Sequence, residues 1–309
     1  MEKLLLVDGN GLMHRAYHAL PPFKTSKGVP TQVVYGFLSM LHKAVADFQP
    51  QYLLVCFDTP APTFRNRLLE SYQAQRPKID DDFIVQIPFV KGSLDAGRIA
   101  HIEKDGYEAD DLIGTIALRY KNNGIRVLIL SGDKDLLQLV GESISVISPQ
   151  IGFAKTKLYT PLEVKEKLGI EPHQIPDYKA IAGDHSDNYI GAKGIGPKTT
   201  VKLLGRYKTL DNLLSGIDSM EEGKIKTILK EHRKDIIIAK KLSTIVIDVP
   251  LDFDTKKTRF IWFDDELKTY LTGFEMYSIM NRIFEKKRPV AIKTGSKAIQ
   301  EPKPQLSLF

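Results

Sequence analysis

The segment GYEADDLIG, residues 106–114, places Glu108, Asp110 and Asp111 within four positions of a chain whose overall charge is positive. Like charges at helical spacing repel, so such a cluster calls for either solvent or a bound cation. More acids accompany it: Asp8 in VDGN, Asp58 in FDTP, and Asp133 with Asp135 in SGDKD. Each of these motifs follows a short apolar run. Taken singly, such acids are ordinary, because carboxylates favour the first turn of a helix and Asp favours the turn after a strand. Seven of them aimed at one crevice would repel strongly without divalent cations. Oxygen ligands with no Cys or His cluster fit Mg²⁺ or Mn²⁺ and argue against zinc. A further pair, Asp184 and Asp187 in GDHSDN, precedes GAKGIGPKTT. Together with Asp133 and Asp135 it could serve two ions roughly 3.5 to 4 Å apart, an arrangement that stabilises the attacking and leaving oxygens at phosphorus. The chemistry suggested is phosphodiester hydrolysis.

These acids need a scaffold that brings distant segments to one edge. The runs LLLV (4–7), YLLVCF (52–57) and VLILS (127–131) predict strands buried on both faces, and TQVVYGFLSMLHKAVADF (31–48) and EADDLIGTIALRYKNN (108–123) predict helices between them. Alternation of this kind implies an α/β fold with a largely parallel sheet, in which ligands sit beyond the carboxyl ends of the strands. Strand signals fade near residue 161, and a mostly helical second domain is expected over 175–285 after an α/β core of 1–174. Residues 286–304 carry six Lys or Arg, one Glu and three Pro, which predicts a disordered basic tether. It leads to QLSLF at 305–309.

The 309 residues are 42% hydrophobic, enough for a substantial core, and 44 Lys and Arg against 38 Asp and Glu give a charge of +6. That balance favours a polyanionic partner. The single cysteine, Cys56, lies in an apolar run and cannot form an internal disulfide, which points to a reducing compartment. The start MEKLLLVDGN is too short in apolar residues for a signal peptide or a membrane span. The protein is expected to be cytoplasmic, with no membrane partner.

The stretch TFRNRLLESYQAQRPK carries Arg65, Arg67, Arg76 and Lys78, interleaved with Phe64 and Tyr72. Arginines meet phosphates and aromatics stack on unpaired bases, so this composition suits a single strand; an ordinary solvated amphipathic helix has it too. GIGPKT, residues 194–199, opens a helix with Gly194, Gly196 and Pro197. Exposed N–H groups there suit a phosphate, with Lys193, Lys198, Thr199 and Lys202 beside them.

These motifs together resemble the 5′ nucleases, specifically the 5′-3′ exonuclease domain of bacterial DNA polymerase I and its flap endonuclease relatives. The likeness covers about residues 3–285 through VDGNGLMHRAYHALP, GVPTQVVYGF, FDTPAPTFR, SYQAQRP, GYEADDLIG, LSGDKDLLQLV, GDHSDN and GIGPKTT, in family order. The resemblance implies a resolvase- or PIN-like core, a helical arch at about 60–95, and a helix-three-turn-helix around GIGPKT that grips duplex backbone, where K⁺ is a possible further ion. It implies that Asp8, Asp58, Glu108, Asp110, Asp111, Asp133, Asp135, Asp184 and Asp187 are the metal-site acids. Arg65 and Arg76 would contact the scissile region and Tyr72 would sit in the arch, so the expected catalytic set is Arg65, Tyr72, Arg76 and Asp133. The implied activity is structure-selective cleavage of 5′ flaps, nicked or gapped duplex and recessed or RNA-primed 5′ ends, as a monomer in replication and repair.

Two departures stand out. The family's arch carries a lysine after the tyrosine, whereas this chain has Gln73, a neutral amide that cannot supply the charge a lysine gives to the transition state. Polymerase I also continues into a polymerase, whereas this chain ends at Phe309 and so resembles a stand-alone nuclease. QLSLF is similar to the pentapeptide that binds the bacterial sliding clamp, with Gln305, Leu306, Leu308 and Phe309 as its anchors. Nineteen flexible residues would reach roughly 22 to 26 Å and raise the effective concentration at junctions. Competing readings are a Toprim-type enzyme, which supplies Glu where this chain has Asp8, a PIN-type ribonuclease, which lacks GIGPKT, and a clamp-tethered junction binder without cleavage.

Overall fold

Three strands anchor the molecule where the apolar runs stand: β1 Lys3–Asp8, β2 Tyr52–Phe57 and β4 Arg126–Leu130. The computed structural model describes residues 1–76, 78–150 and 155–285. Three further strands, β3 Ala100–Glu103, β5 Ile144–Pro149 and β6 Thr156–Tyr159, complete a sheet in the order β3-β2-β1-β4-β5-β6. All neighbours are parallel except β5 and β6. The chain order reverses at β1, which lies between β2 and β4, and a ligand crevice is expected at such a switch point.

Helices cover both faces. In chain order they are α1 Gly9–Ala19, α2 Gln32–Phe48, the short α3 Phe64–Leu68 and α4 Asp81–Ile84, α5 Ile87–Ala96, α6 Ala109–Asn122 and α7 Pro161–Leu168. There follow α8 Ile175–Ala182, α9 Pro197–Tyr207, α10 Leu210–Ser215, α11 Lys224–Glu231, α12 Arg233–Ser243, α13 Glu266–Gly273 and α14 Tyr277–Phe284.

Strand alternation divides the core in two. Leu5, Val7, Leu53, Val55, Leu128 and Leu130 face α1, α2, α5, α13 and α14. Leu4, Leu6, Leu54, Cys56, Val127 and Ile129 face α6, and that same apolar body runs on into α8, α9, α10 and α12. The helical region, expected as a second domain over 175–285, packs against both faces. Its first part continues the α6 face, while Phe260, Phe263, Leu267, Leu271, Ile279 and Ile283 cross to the opposite face and bury against α2 and α5. Within the 60–95 stretch expected to form an arch, α5 sinks Val90 and Leu94 into the core. The expected tether and QLSLF lie outside the described residues.

Candidate metal centre and nucleic-acid cleft

Register brings the first acids together. Asp8 ends β1 opposite Cys56, so Asp58 leaves β2 two residues later at the same edge. Val7 pairs with Leu130, which sets Ser131 beside Asp8, and the Ser131 hydroxyl donates to Asp8 Oδ2 at 2.6 Å. Asp8 also caps α1, its Oδ1 accepting from the Gly11 N–H at 2.8 Å. Gly11 is required there: a Cβ at this position would lie 2.0 Å from Asp8 Oδ2. Asp58 Oδ1 accepts from the Ala109 N–H at 2.6 Å, fastening the start of α6 to the end of β2. Glu108 and Asp110 thereby join Asp8, Asp58 and Asp133 in lining one cleft of about 1020 Å³. Asn10, Thr63, His14, Tyr17, Phe83, Gln73, Arg76 and Lys78 line it too.

A second acidic group adjoins it. Asp135, Asp184 and Asp187 offer carboxylate oxygens that all lie within 4.8 Å of one another. Asp135 opens the turn after β4, while Asp184 and Asp187 belong to the loop after α8, closed by the bridge between Asp184 and Tyr189. Gly191 packs against backbone there, since a Cβ would meet Ile181 O at 2.5 Å and Ala180 O at 2.6 Å. Asp133, expected in this group, lines the first cleft instead, where Ser131 Oγ accepts from its N–H.

Burial makes several of these carboxylates reluctant to ionise by themselves, whereas at Asp184 burial is outweighed by Lys179 and Ser186, which lower its pKa. Asp8 is pushed up to about 7, first by burial and then by Asp58 and Asp133, against the pull of Ser131 and Gly11. Glu108 rises to about 7 through burial, opposed by Arg65 and reinforced by Asp111, Asp58 and Asp187. Asp110 is raised well above the ordinary carboxylate range by burial and then by Asp133, Asp8, Asp135 and Asp58. Asp135 goes to about 6 by burial and by Asp133, despite the Lys179 ammonium beside it. Mutual repulsion in a low-dielectric crevice is the condition a divalent cation relieves. The second group already holds a cation of the protein's own: Lys179 Nζ pairs with Asp135 and lies 2.5 Å from Asp184 Oδ2. The all-oxygen donor set fits a hard divalent ion, which in the second group would compete with this resident ammonium.

Three expected site residues stand elsewhere. Arg65 and Asp111 are both buried and bound to each other, with Nη1 to Oδ2 at 2.7 Å and Nη2 to Oδ1 at 2.9 Å. Arg65 also donates to Leu242 O and Thr244 O, so neither residue is open to an ion or to DNA. Burial opposes the Arg65 charge, yet the bond to Asp111 and the field of Glu108 outweigh it and raise its pKa. Tyr72 is 5% exposed within the α6 core, its hydroxyl 3.5 Å from Glu108 Oε2, rather than presented to a substrate. Arg76 donates to Asp187 Oδ1 at 2.9 Å, Arg67 is exposed, and Lys78 reaches the cleft mouth.

Farther along the same connection between α8 and α9, Gly194 takes φ +103° and Gly196 precedes α9, whose first turn holds Lys198 and Thr199. Lys193, Lys198 and Lys202 are exposed and have no ion-pair partner among the described residues. Sequence reasoning missed Ser131, Lys179 and Tyr189. Ser131 stood inside the LSGDKD motif; the other two gave no signal beyond ordinary helix and loop composition.

A sheet of this order with acids at the carboxyl ends of β1, β2 and β4, joined to a helical region, defines a resolvase-like domain followed by a helical domain. Residues 3–169 match the family model of the 5′-3′ exonuclease N-terminal resolvase-like domain, and residues 170–266 match that of its C-terminal SAM fold. The chain belongs to the 5′-3′ exonuclease family. It is 37% identical over 284 residues to a 5′-3′ exonuclease of Aquifex aeolicus, covering 92% of this chain and 96% of that one. It is 40% identical over 265 residues to DNA polymerase I of Bacillus subtilis, covering 86% of this chain, and spans only about 30% of that relative's length. The fold matches a structure of the bacteriophage T5 flap endonuclease in a pseudo-enzyme–product complex with DNA and metal ions, at TM-score 0.63 and 20% identity, covering 92% of this chain and 98% of that one.

Proposed function

We propose that the protein is a structure-selective 5′ nuclease, a 5′-3′ exonuclease and flap endonuclease that hydrolyses DNA phosphodiesters with Mg²⁺ or Mn²⁺. The observation that carries this is the convergence of Asp8, Asp58, Glu108, Asp110 and Asp133 in one cleft with Arg76 and Lys78 at its mouth. These acids would hold one ion, and Asp135, Asp184 and Asp187 a second. Such ions, when bound, lower the pKa of water and offset charge on the oxygens of an in-line displacement.

The chain's own groups do the rest. Ser131 and Gly11 fix the orientation of Asp8, and Ala109 fixes that of Asp58. Arg76, Lys78 and Arg67 meet backbone phosphates of a strand entering the cleft. The His14, Tyr17 and Phe83 rings pack together along one wall and narrow the entry. The N–H groups at Gly194 and Gly196, with Lys193, Lys198, Thr199 and Lys202, hold duplex backbone away from the cleft, where K⁺ would be a further ligand. The protein works as a cytoplasmic monomer in replication and repair on this reading, tethered to the sliding clamp through Gln305, Leu306, Leu308 and Phe309. Among the described residues no helix is long and apolar enough to cross a membrane.

A labelled 5′ flap with Mg²⁺, mapped beside nicked and gapped duplexes, tests the reading. Incision near the junction that is lost in Asp110→Asn supports it. Binding without incision favours the non-cleaving junction binder, the reading to which the neutral Gln73 lends weight.

A further inference from the structure

Cations of the protein are distributed unequally between the two acidic groups. In the first, Glu108 meets one cation, Arg65 Nη1 at 3.7 Å, whereas Asp8, Asp58, Asp110 and Asp133 have no Lys or Arg ion pair among the described residues. In the second group, Lys179 sits on both Asp135 and Asp184, and Arg76 lies 2.9 Å from Asp187. Three carboxylates therefore face two resident positive charges, and a divalent ion arriving there would find its ligands already engaged.

We infer that Lys179 is a built-in counter-ion of the second acidic group, which holds Asp135 and Asp184 together before metal arrives and must be displaced for a divalent ion to enter. This rests on the two-group reading above. Lys179 projects from the last turns of α8, with its side chain 16% exposed, and so ties the loop after α8 to the turn after β4. Without it, three carboxylates within 4.8 Å would spread apart. With it, a +2 ion and an ammonium compete for the same oxygens, and their repulsion in a poorly solvated pocket is large. The displaced ammonium has somewhere to go. The Tyr189 hydroxyl belongs to the residue bridged to Asp184, is buried, and makes no hydrogen bond among the described residues. Lys179 is thus a positioning residue that sets the affinity and order of ion binding, so that the first group fills before the second.

Calorimetric titration of the metal-free full chain with MnCl₂ alone, without DNA, reads this directly. Two classes of Mn²⁺ are expected, the tighter one lost in Asp110→Asn. In Lys179→Met the weaker class should tighten at least about tenfold, within the usual range of couplings between sites, while the tighter class is unchanged. Melting of the same variant in EDTA should occur below wild type, and the deficit should close when Mn²⁺ is added. Tyr189→Phe keeps the ammonium but removes its landing partner, so the weaker class should weaken. A merely structural lysine would not move the two substitutions in opposite directions. Weaker-class affinity that is unchanged or reduced in both Lys179→Met and Lys179→Gln overturns the proposal, as does an unchanged melting temperature in EDTA. If Lys179→Met does not fold, Lys179→Arg and Tyr189→Phe decide: wild-type affinity in the first with weakening in the second supports the inference, and any other pair of results sinks it. Failure of wild type to bind Mn²⁺ at all, or to lose the tighter class in Asp110→Asn, removes the two-group reading instead.

Discussion

Arg65 and Asp111 form a bidentate pair sealed from solvent, with Arg65 2% exposed and Asp111 0% exposed. Asp111 Oδ1 also accepts from the Val246 N–H, and Arg65 donates to the carbonyls of Leu242 and Thr244. One ion pair thereby fastens α3, the first turn of α6 beside the cleft, and the end of α12. The pair's satisfied bonds matter more than its charge, since breaking a buried pair leaves an uncompensated ion.

Removing one member is therefore expected to cost about 3 to 5 kcal/mol. Arg65→Met should show this in urea denaturation of the metal-free chain, and Asp111→Asn should lose a similar amount. The double variant should lose less than the sum of the two, because no unpaired charge remains. Additive losses would contradict the fastening role.

Stability without metal should fall as pH rises. Asp8 and Glu108 are each raised to about 7 and Asp135 to about 6, so the folded state keeps protons that the unfolded chain releases near its ordinary carboxylate range. The stability these groups contribute is fully present below that range and is lost as pH climbs through about 6 to 7. Melting in EDTA from pH 4 upward should show the decline, with other groups adding their own slopes. Mn²⁺ should flatten it above pH 6. A metal-free melting temperature that rises steadily from pH 5 to 8 would contradict this origin of the shifts.

Much of this architecture was legible because buried parallel strands leave unmistakable apolar runs, and β1, β2 and β4 each carry an acid just beyond their ends. The strand β3, AHIE, escaped notice because it is a partly exposed edge strand with polar residues, and β5, ISVISP, because its serines interrupt the apolar pattern. Asp111 was misplaced for a different reason. The acidic cluster and the family resemblance counted it among the metal-site acids, yet the partner that turns it inward, Arg65, is 46 positions away. Lys179 reads locally as one more lysine on an amphipathic helix; only the tertiary approach of Asp135 and Asp184 gives it a role.

Gln73 adopts φ +57° and points its amide at Asp187 Oδ1, 3.2 Å away, beside the Arg76 contact to the same oxygen. It lines the cleft without bringing charge to it. Gln73→Lys is expected to raise the single-turnover rate on a 5′ flap by about tenfold or more, since one donor aimed at developing charge contributes about 10² to 10³ in rate elsewhere. Rapid quench at saturating Mg²⁺ checks this. An unchanged rate on every flap tested would mean that the missing lysine does not limit this chain.

Lys193, Lys198 and Lys202 stand around the start of α9 with no acidic partner among the described residues, so whatever anion they meet must come from outside those residues. If that anion is duplex backbone, each lysine releases about one condensed counter-ion on binding. The slope of log affinity against log salt should then become shallower by roughly 0.9 for each lysine replaced by alanine. Lys198→Ala and Lys202→Ala should weaken binding evenly across sequences, leaving flap selectivity unchanged, because phosphate contacts position the duplex without reading its bases. Fluorescence anisotropy on a nicked duplex in EDTA, from low to moderate salt, measures the slope with cleavage suppressed. The same slope in wild type and in the double variant would remove the α9 terminus from the DNA interface and leave duplex grip to the cleft mouth alone.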